Sequence, residues 1–547
     1  MALNSLISAC VPSTFNPVIL GADVLSVSAS IVSNYNLEVP GDYRFTAPSV
    51  KLENATFCNV TVTYKRYKDE IHAEAWLPVE NWNERFEAFG GGGWIAGRWL
   101  FSQYGMSGAL HDGFATITTD AGLGTASDAS SWALDTLGNV DFNRLLTFSS
   151  IALNDEAEIG KSMIKSFYGK PPAYSYFTGC SQGGRQGFML AQRYPKAFDG
   201  ISANAPGIQW SDIFFNMAWA ESYMRMKSVF PHGCELDAIT AAAVSKCDEL
   251  DGVSDGIIAN VDDCKKAFDP FEVVGKTINC SDTGKTMKIS KGASEIVNAT
   301  WGGIFSATTG ERLFPGLDPG ADLTCNTLGE NGLSCVATTD CSSGSCVPVS
   351  NGFGATWIRL FLERDPNFNM NMSQEQFESR LHASKQQYGS IIGTEDPDLS
   401  EFKAAGGRII TYHGLADNLL PPEGMDRYFR KVSKAVDGID DFFRYYKIPG
   451  LAHCFGGSNM QPTSLFQQLQ AWVENGTAPE DSPVSFVDPK GVTQNRIICP
   501  FPKEARFHSD CGDAAKAECW ACENRSPSPV AQEPESYEAS IGLTELF

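Results

Sequence analysis

The sequence predicts an α/β fold that one large insertion interrupts. Strand patterns and helix patterns alternate over residues 60–207 and again over residues 402–476. Between them, residues 208–399 are rich in aromatic side chains, Asp-Gly turns and cysteines, and contain few strand patterns. The chain has 547 residues and is 43% hydrophobic, so it is long enough to bury more than one core.

The individual elements follow from their apolar spacing. Runs of alternating or continuous apolar residues bounded by turn residues predict strands at VTVTYKRY, IHAEAWLP, RFEAFGGGGW, FATITTD, AYSYFTG, GGRIITYHG and DFFRYYKIPG. Apolar residues at helical spacing predict helices at DEAEIGKSMIKSFYG, GGRQGFMLAQRYPKAFDG, PPEGMDRYFRKVSKAV and PTSLFQQLQAWVENG. Strands therefore alternate with helices on both sides of the insertion.

These patterns divide the chain into domains. Residues 1–207 and 400–523 form the main α/β domain, and residues 208–399 form the inserted domain. Residues 524–547 are polar and rich in Pro and Ser, which predicts a disordered tail. No run of about 18 apolar residues occurs, so we expect no transmembrane helix.

Charge and cysteine content restrict the partners and the compartment. The net charge of −23 disfavours nucleic acid and an anionic membrane as partners, while the oligomeric state stays unknown. Sixteen cysteines together with several N-x-[ST] sequons predict a secreted glycoprotein with disulfide bonds. The sequons begin at Asn54, Asn59, Asn279, Asn298, Asn371, Asn475 and Asn524. The N-terminus lacks a signal-peptide pattern, and we expect Met-Ala to replace the natural leader.

A nucleophile motif follows one of the predicted strands. Gly179-Cys180-Ser181-Gln182-Gly183 matches G-x-S-x-G, in which a serine occupies a tight turn between a strand and a helix. AYSYFTG supplies the strand and GGRQGFMLAQRYPKAFDG supplies the helix, so the motif has the context it requires. The sequence therefore predicts an α/β-hydrolase fold in which the inserted domain is a lid.

A nucleophilic serine needs a histidine to accept its proton and a carboxylate to orient that histidine. In this fold the acid and then the histidine follow later strands of the sheet. Asp417 follows RIITYHG and His453 follows FFRYYKIPG, which predicts the triad Ser181, Asp417 and His453. His413 is the alternative base, although it lies in the same turn as Asp417. Asp417 could instead be a turn residue ahead of Pro421.

Two cysteines flank the predicted triad. Cys180 precedes Ser181, and Cys454 follows His453. If the serine and the histidine are within hydrogen-bonding distance, their neighbours can reach the Cα separation of about 4.4–6.8 Å that a disulfide needs. Such a bond would keep the base beside the nucleophile while the lid moves. The alternative is that both cysteines are unpaired and buried.

An oxyanion needs two backbone N–H donors. Gln182, directly after the nucleophile, is the first candidate. The glycine-rich loop FGGGGW follows a predicted strand, and we expect Gly91 and Gly92 to supply the second donor. The alternatives are a flexible turn or a phosphate cradle. A cradle would need a following helix with Lys or Thr, which WIAGRWLF does not offer.

The segment CDELDGVSDGIIANVDDC concentrates carboxylates between two cysteines. Asp248, Asp251 and Asp255 lie within eight residues and are separated by glycine turns. Hard oxygen ligands at this density suit Ca²⁺, although the spacing is not that of an EF-hand. The alternative is a solvated acidic loop. The sequence therefore predicts a structural calcium ion in the lid.

Three blocks of the sequence together resemble one family. GCSQGGRQGFMLAQRYPKAFDGISANAPG, HGLADNLLPP and GLAHCFGG are similar to the tannase and feruloyl esterase family of secreted, mostly fungal, carboxylic ester hydrolases. The resemblance covers about residues 8–500 and extends to the bacterial hydrolase of mono(hydroxyethyl) terephthalate. It implies that Ser181, Asp417 and His453 form the triad and that Cys180 and Cys454 form a disulfide beside it.

The resemblance also implies the cofactor. Members of the family carry a calcium ion in the lid, and the match assigns the side chains of Asp248, Asp251 and Asp255 as ligands. It adds the backbone oxygens of Val253 and Ile257. The insert CNTLGENGLSCVATTDCSSGSC departs from the family pattern and predicts a small disulfide knot whose pairing the sequence leaves open.

The substrate implied by the resemblance is an ester of an aromatic acid, either a small molecule or a plant polymer. Lid aromatics would wall an apolar acyl pocket, with Trp210, Phe214 and Phe230 as candidate contacts. Their apolar character favours a feruloyl esterase, and a tannase acting on gallate esters is the alternative. From other classes, a non-catalytic, calcium-braced binding protein and a serine peptidase remain open.

Overall fold

The computed structural model describes residues 3–325, 335–458 and 460–524. Its centre is a nine-stranded mixed sheet with the spatial order β1-β2-β3-β5-β4-β6-β7-β8-β9. The strands are β1 (Asp23–Val39), β2 (Val50–Arg66), β3 (Asp69–Pro78), β4 (Arg85–Phe89), β5 (Ala115–Thr119), β6 (Tyr174–Cys180), β7 (Gly200–Asn204), β8 (Arg408–Gly414) and β9 (Phe443–Ile448).

The sheet changes character from one edge to the other. Strands β1, β2, β3 and β5 pair antiparallel, and β1 forms a largely exposed edge. From β5 through β4, β6, β7 and β8 to β9 the strands are parallel. Parallel strands are covered on both faces, which explains why ATITT and GISAN are buried at every position.

The helices are α1 (Leu3–Ala9), α2 (Leu100–His111), α3 (Phe142–Leu146), α4 (Ala152–Tyr168), α5 (Gln182–Arg193), α6 (Trp210–Lys227), α7 (Gly233–Cys247), α8 (Val261–Ala267), α9 (Lys291–Gly302), α10 (Gly352–Thr356), α11 (Gln374–Ile392), α12 (Ser400–Ala404), α13 (Pro422–Ala435) and α14 (Leu465–Asn475). Helices α4, α5 and α13 pack on one face of the sheet, and α2 and α14 pack on the other. Each face therefore has its own apolar core.

Neighbouring strand residues supply these two cores in alternation. Phe177 and Ile409 belong to the core under α4 and α5, whereas Tyr176 and Ile410 belong to the core under α2 and α14. This alternation is the two-residue period of a strand. It explains why the parallel strands are apolar without interruption.

The chain between β7 and β8 forms the lid, and its described residues add no strand to the main sheet. It is built mainly from α6, α7, α9 and α11, which share a third apolar core. Short antiparallel hairpins join Thr277–Cys280 to Lys285–Lys288, Ile304–Phe305 to Arg312–Phe314, and Thr339–Asp340 to Val347–Pro348.

Two strands of the main sheet were not predicted from the sequence. Strand β1 carries alternating apolar residues, of which Val27, Ala29, Ile31, Tyr35 and Leu37 are half-buried, and the prediction overlooked this period among the Ser and Asn residues. Strand β7 has only five residues, GISAN, most of them small. It is defined by its neighbours in the sheet, which a local pattern does not reveal.

Two antiparallel hairpins form the C-terminal part of the described chain. Ser482–Val487 pairs with Thr493–Ile498, and Lys503–Phe507 pairs with Trp520–Asn524. Asn524, which the prediction counted in the tail, thus ends a strand, and the rest of the predicted tail lies outside the described residues. An additional small hairpin joins Leu134–Thr136 to Asn139–Val140.

All sixteen cysteines form disulfides, and none is free. The pairs are Cys10–Cys58, Cys180–Cys454, Cys234–Cys280, Cys247–Cys264, Cys325–Cys335, Cys341–Cys346, Cys499–Cys522 and Cys511–Cys519. The insert was expected to form a small disulfide knot. Its cysteines close two consecutive short loops, Cys325–Cys335 and Cys341–Cys346. Among the helices of the described chain, none has the length and apolar content needed to cross a membrane.

Candidate active site

Ser181 occupies the sharp turn between β6 and α5. Its backbone has φ 63° and ψ −117°, which is strained for a residue with a β-carbon. The turn needs glycine on both sides, because a β-carbon at Gly179 would lie 2.5 Å from the carbonyl carbon of Gly183. A β-carbon at Gly183 would lie 2.8 Å from Gly91 O. The G-x-S-x-G spacing therefore permits the close packing that presents Ser181 at the end of the sheet.

Asp417 and His453 follow β8 and β9 and meet there. His453 Nδ1 lies 2.8 Å from Asp417 Oδ2, so Nδ1 carries the proton it donates to the carboxylate. Asp417 Oδ1 accepts the N–H groups of Leu419 at 2.9 Å and Leu420 at 2.8 Å. Burial raises the pKa of Asp417, but the charges and hydrogen bonds of His453 and His413 outweigh it and hold that pKa well below its usual range. Asp417 is therefore ionised.

His413 shares the same carboxylate. Its Nε2 lies 3.0 Å from Asp417 Oδ2 and 3.2 Å from Leu420 O, and both of these atoms are acceptors. Nε2 must therefore carry a proton. Nδ1 of His413 is buried and has no hydrogen-bond partner in the described chain. His413 is thus a partner of the acid, and the described residues show no bond from it to Ser181.

The predicted disulfide brings the serine turn to the histidine loop. Cys180 and Cys454 are bonded, with an S–S distance of 2.01 Å and a Cα separation of 6.0 Å. Across the described chain, Ser181 Oγ has no hydrogen bond to His453, whose Nδ1 is bound to Asp417. Catalytic hydrogen bonds are often long in unliganded enzymes and shorten when substrate binds. The covalent link keeps the two loops adjacent until then.

The predicted oxyanion donors differ in availability. The N–H of Gly91 donates to Gln186 Oε1 at 2.9 Å, and the N–H of Gly92 donates to Ile95 O at 3.1 Å. Neither group is free to bind an oxyanion, so the structure contradicts the prediction of Gly91 and Gly92. The reason is that Gln186 of α5 and the turn after the loop bind them. Among the described residues, Gly93 N–H donates no hydrogen bond, and neither does Gln182 N–H.

A buried guanidinium stands one helical turn after the nucleophile. Arg185 has no exposed surface, and no carboxylate of the described chain lies within ion-pair distance. Its Nε donates to Gln182 Oε1 at 2.6 Å and its Nη1 to Ser149 O at 2.9 Å. Burial lowers the pKa of Arg185 to about 9, so the group remains charged at neutral pH. The start of α5 therefore carries a positive charge that no acid neutralises.

The acidic loop of the lid is ordered by its own carboxylates. Asp248 Oδ1 accepts the N–H groups of Asp255, Gly256 and Ile257 at 2.8–3.3 Å. Asp255 Oδ2 accepts a hydrogen bond from Arg496 at 2.8 Å. Burial raises the pKa of both Asp251 and Asp255 to about 6. The loop therefore holds several carboxylates, and among the described residues Arg496 is the one cationic side chain bound to them.

The donor set of this loop fits a hard cation. Val253 and Ile257 are buried, and in the described residues their backbone oxygens accept no hydrogen bond. Arg496 binds only one oxygen of Asp255, and Asp251 receives a single backbone hydrogen bond from Val253. Carboxylate and carbonyl oxygens with unused lone pairs are the ligands that Ca²⁺ prefers.

The predicted substrate contacts lie in different surroundings. Trp210 and Phe214 are only 2% and 3% exposed and pack against Trp94, with ring centroids 5.5 and 4.9 Å away. Phe230 is half-buried against the lid core. Phe353 instead reaches the glycine-rich loop, since a β-carbon at Gly93 would lie 2.6 Å from its Cε1. Trp210 and Phe214 therefore serve the packing between lid and main domain in this structure.

Sequence reasoning missed several residues of the site. Arg185 and Gln186 lie in the quoted block around Ser181, but their partners are distant in sequence. Gln461 is another: its Nε2 donates to Phe45 O at 2.6 Å and to Cys454 O at 3.2 Å. The one local signal was the i, i+4 spacing of His413 and Asp417. The sequence analysis interpreted His413 as an alternative base and not as a partner of the acid.

The comparisons with known proteins agree with this architecture. A model of the family described as tannase and feruloyl esterase matches residues 58–523. A probable feruloyl esterase of Arthroderma benhamiae is 34% identical over 521 residues, 92% of each chain. The mono(2-hydroxyethyl) terephthalate hydrolase of Piscinibacter sakaiensis is 29% identical over 83% of this chain and 82% of its own.

A solved structure shows the same fold. The tannin acyl hydrolase of Aspergillus niger superimposes with a TM-score of 0.84, covers 96% of each chain and is 24% identical. Together with the mixed sheet and the serine turn, this likeness confirms the predicted α/β-hydrolase fold. The family match and the Arthroderma relative confirm the resemblance inferred from the three sequence blocks. The chain belongs to the tannase and feruloyl esterase family and is a carboxylic ester hydrolase.

Proposed function

We propose that this esterase hydrolyses esters of hydroxycinnamic acids, with Ser181 as nucleophile, His453 as general base and Asp417 as the orienting acid. The observation that carries the proposal is the buried Asp417–His453 pair, bonded at 2.8 Å and linked to the serine turn through Cys180–Cys454. A buried, ionised carboxylate fixes the tautomer in which the other imidazole nitrogen can accept the serine proton.

The reaction proceeds through an acyl-enzyme. Ser181 Oγ attacks the ester carbonyl carbon while His453 Nε2 accepts its proton. His453 then gives this proton to the alcohol oxygen as the C–O bond breaks, and the acyl group stays on Ser181. Water, deprotonated by His453, attacks the acyl-enzyme and releases the acid. Asp417 remains ionised throughout and stabilises the imidazolium in both steps.

Two backbone groups are available for the oxyanion. Gln182 N–H lies at the start of α5, and Gly93 N–H lies in the glycine-rich loop. We assign these as the donors in place of Gly91 and Gly92. The charge of Arg185 strengthens the positive potential at the start of α5, because Arg185 is fully buried and no carboxylate of the described chain lies within ion-pair distance.

Ferulate fits the apolar surroundings of the glycine-rich loop better than gallate does. Phe353 lies against Gly93, and the ring of Trp99 lies against Gly92. Gallate would require polar partners for three adjacent hydroxyl groups, whereas ferulate presents a longer, flatter and less polar acyl chain. The Arthroderma relative described as a probable feruloyl esterase supports the same choice. A tannase activity on gallate esters is the second candidate, favoured by the likeness to the Aspergillus niger fold.

We also propose a structural calcium ion in the acidic loop. The side chains of Asp248, Asp251 and Asp255 and the backbone oxygens of Val253 and Ile257 would hold it. When bound, the ion neutralises the crowded carboxylates and supplies no step of ester hydrolysis. The Cys247–Cys264 disulfide closes the loop around these residues.

We further propose that the enzyme is secreted and glycosylated and acts on small or polymer-bound aromatic esters outside the cell. Eight disulfides support an oxidising compartment. Six of the sequon asparagines are exposed, whereas Asn59 is half-buried and donates to Glu74. The net charge of −23 argues against nucleic acid or an anionic membrane as a partner.

A substrate panel with active-site labelling tests the proposed reaction. A fluorophosphonate probe should label the enzyme at Ser181 and leave the Ser181→Ala variant unlabelled. Hydrolysis of methyl ferulate, methyl gallate and a peptide amide should give the largest kcat/KM for ferulate and none for the amide. Absence of labelling would overturn the nucleophile, and a preference for gallate would replace feruloyl esterase by tannase.

A further inference from the structure

A cavity of about 630 Å³ lies where the lid, helix α13 and the two C-terminal hairpins meet. Its volume lies in the range of roughly 300–1,000 Å³ that small-ligand sites occupy. None of the described residues that line it belongs to the triad, the serine turn or the glycine-rich loop. The cavity is therefore a second candidate binding site, separate from the site of ester hydrolysis.

Cationic side chains outnumber carboxylates in the lining of this cavity, although the whole chain is acidic. Eight of the described lining side chains are Lys or Arg and seven are Asp or Glu, whereas the chain has 42 Lys and Arg against 65 Asp and Glu. Two of the seven carboxylates belong to Asp251 and Asp255, which are proposed ligands of the calcium ion. When the ion neutralises these two, five carboxylates remain for eight cations. The lining therefore has an excess of positive charge, which favours an anion.

Some of these charges neutralise each other in close pairs. Lys265 Nζ lies 2.7 Å from Asp318 Oδ1, and Lys447 Nζ lies 2.8 Å from Asp426 Oδ2. The other oxygen of Asp426 accepts the hydroxyl of Tyr445 at 2.7 Å. Both oxygens of this carboxylate on α13 are therefore bound, and it does not pair with the arginines of the same helix.

The guanidinium groups at the opening of the cavity lack such partners. Arg427 and Arg430 of α13 line the cavity and are exposed to solvent, so they lie where it opens. Arg427 donates to Glu423 Oε1 at 2.7 Å, and Arg312 donates to the same oxygen. The guanidinium of Arg430 has no hydrogen bond or ion pair among the described residues, and its Cζ lies 5.0 Å from the ring centroid of Phe501. In the described chain, three guanidinium groups therefore share one carboxylate.

Buried apolar side chains form the floor of the cavity. Leu415 and Met460 line it and are only 5% and 4% exposed, and Pro449 lines it beside them. Leu415 precedes Asp417 by two residues, and Pro449 precedes His453 by four. The floor therefore belongs to the two segments that lead into the acid and the base of the triad.

We propose that this cavity binds a small carboxylate with an apolar body, which is the chemistry of the acid that an ester hydrolase releases. Guanidinium groups bind carboxylates through paired hydrogen bonds, so Arg427 and Arg430 would hold the charge at the opening. The apolar body would lie against the floor. A uronic acid has the same charge but a polar body, so it matches the opening and not the floor. The choice of an aromatic acid as the ligand rests on the proposed function, whereas the recognition of a carboxylate does not.

Calorimetry on enzyme with a blocked active site tests this inference. After fluorophosphonate labelling of Ser181, the full-length enzyme should still bind ferulate. Arg427→Gln and Arg430→Gln should each weaken this binding about tenfold, because each removes a charge-assisted hydrogen bond to the carboxylate. Lys434→Gln, at an exposed position of the same helix outside the lining, is the matched control and should bind ferulate as the wild type does.

Two further ligands separate the roles of the charge and of the apolar body. Coniferyl alcohol keeps the ring of ferulate but has no carboxylate, and glucuronate keeps the carboxylate on a polar ring. Both should bind at least about tenfold more weakly than ferulate. Binding of either one as tight as that of ferulate would overturn the proposal.

The remaining outcomes distinguish this site from the proposed reaction. No ferulate binding to the blocked enzyme, or equal binding by wild type, Arg427→Gln and Arg430→Gln, would reject the cavity as a carboxylate site even if ferulate esters are cleaved. If the probe does not label Ser181, the proposed reaction fails. The comparison of wild type with Arg430→Gln in unlabelled enzyme then still decides on the cavity, because Arg430 is outside the triad, the serine turn and the glycine-rich loop.

Discussion

Asp417 and the acidic loop of the lid both concentrate negative charge, but they compensate it in different ways. Asp417 is fully buried and receives bonds from two imidazoles and two backbone N–H groups. In the loop, Asp248, Asp251 and Asp255 lie close in sequence, yet Arg496 is the single cationic side chain bound to them among the described residues. The first site is complete within the chain, whereas the second has oxygen atoms left over for a metal ion. Asp417 therefore differs from the aspartates of the loop by its two imidazole partners.

The negative charge of a third carboxyl group, that of Glu87, is compensated in another way. It is buried in β4, has no ion pair in the described chain and accepts one hydrogen bond, from Thr178 Oγ1 at 2.7 Å. Burial raises the pKa of Glu87 to about 8. This carboxyl group is therefore neutralised by a proton, where Asp417 uses imidazoles and the acidic loop would use calcium.

Removing the charge of Asp417 should have the largest effect on activity. Asp417→Asn keeps the shape but presents an amide to His453 and so favours the wrong tautomer. We expect kcat to fall by about 10⁴-fold on methyl ferulate. Steady-state kinetics measure the loss, with the exposed Asp437→Asn as the charge-matched control. A decrease of less than tenfold would show that Asp417 does not orient the base.

Removing calcium tests the acidic loop of the lid. Chelation should lower the free energy of unfolding by about 2–4 kcal/mol, because the ion binds the folded loop and not the unfolded chain. Thermal unfolding with and without chelator measures this, and a metal assay gives the stoichiometry. The Asp251→Asn variant should lose the response to chelator while keeping its triad. Identical unfolding curves for the wild type in both conditions would contradict a bound ion.

Replacing His413 sharpens the role of the shared carboxylate. His413→Leu removes a donor to Asp417 and should lower kcat by about tenfold. The matched variant His111→Leu, at an exposed histidine, should keep the wild-type kcat. A lower melting temperature with an unchanged kcat would indicate a purely structural role for His413.

The smallest expected effect concerns Glu87 and pH. The unfolded side chain loses its proton near the ordinary pKa of 4.5, whereas the folded side chain keeps it up to about 8. Stability is therefore lost as pH rises through this window. Glu87→Gln should remove that loss, so the variant should be more stable than wild type at pH 8 and should gain less at pH 5. Melting temperatures at the two pH values, compared with wild type, check the sign.

The sequence predicted the turn that holds Ser181 better than the hydrogen bonds around it. The elbow is local, since Gly179, Ser181 and Gly183 lie within five residues and determine one turn. Gly91 and Gly92 were the wrong choice because their hydrogen bonds go to Gln186 and Ile95. A glycine-rich segment indicates a backbone that approaches something closely, and it does not reveal which N–H group stays unpaired.

Aromatic composition was similarly ambiguous. Trp210 and Phe214 lie in a segment that reads as a substrate wall, yet they pack around Trp94. Phe101 and Phe455 lie in segments with no such signal, yet their rings contact each other and stay partly exposed. Burial of a side chain depends on which distant segment covers it, and this information is not contained in its neighbours along the chain.

By itself, the sequence determined the alternation of strands and helices, the position of the insertion and the order of Ser181, Asp417 and His453, because hydrophobic period and turn chemistry are local. Only the tertiary structure decided that one carboxylate serves two histidines and that Gln461 binds Phe45, 416 residues away. These bonds form where loops at the ends of separate strands converge. Their partners are selected by the curvature and register of the whole sheet, which no short segment encodes.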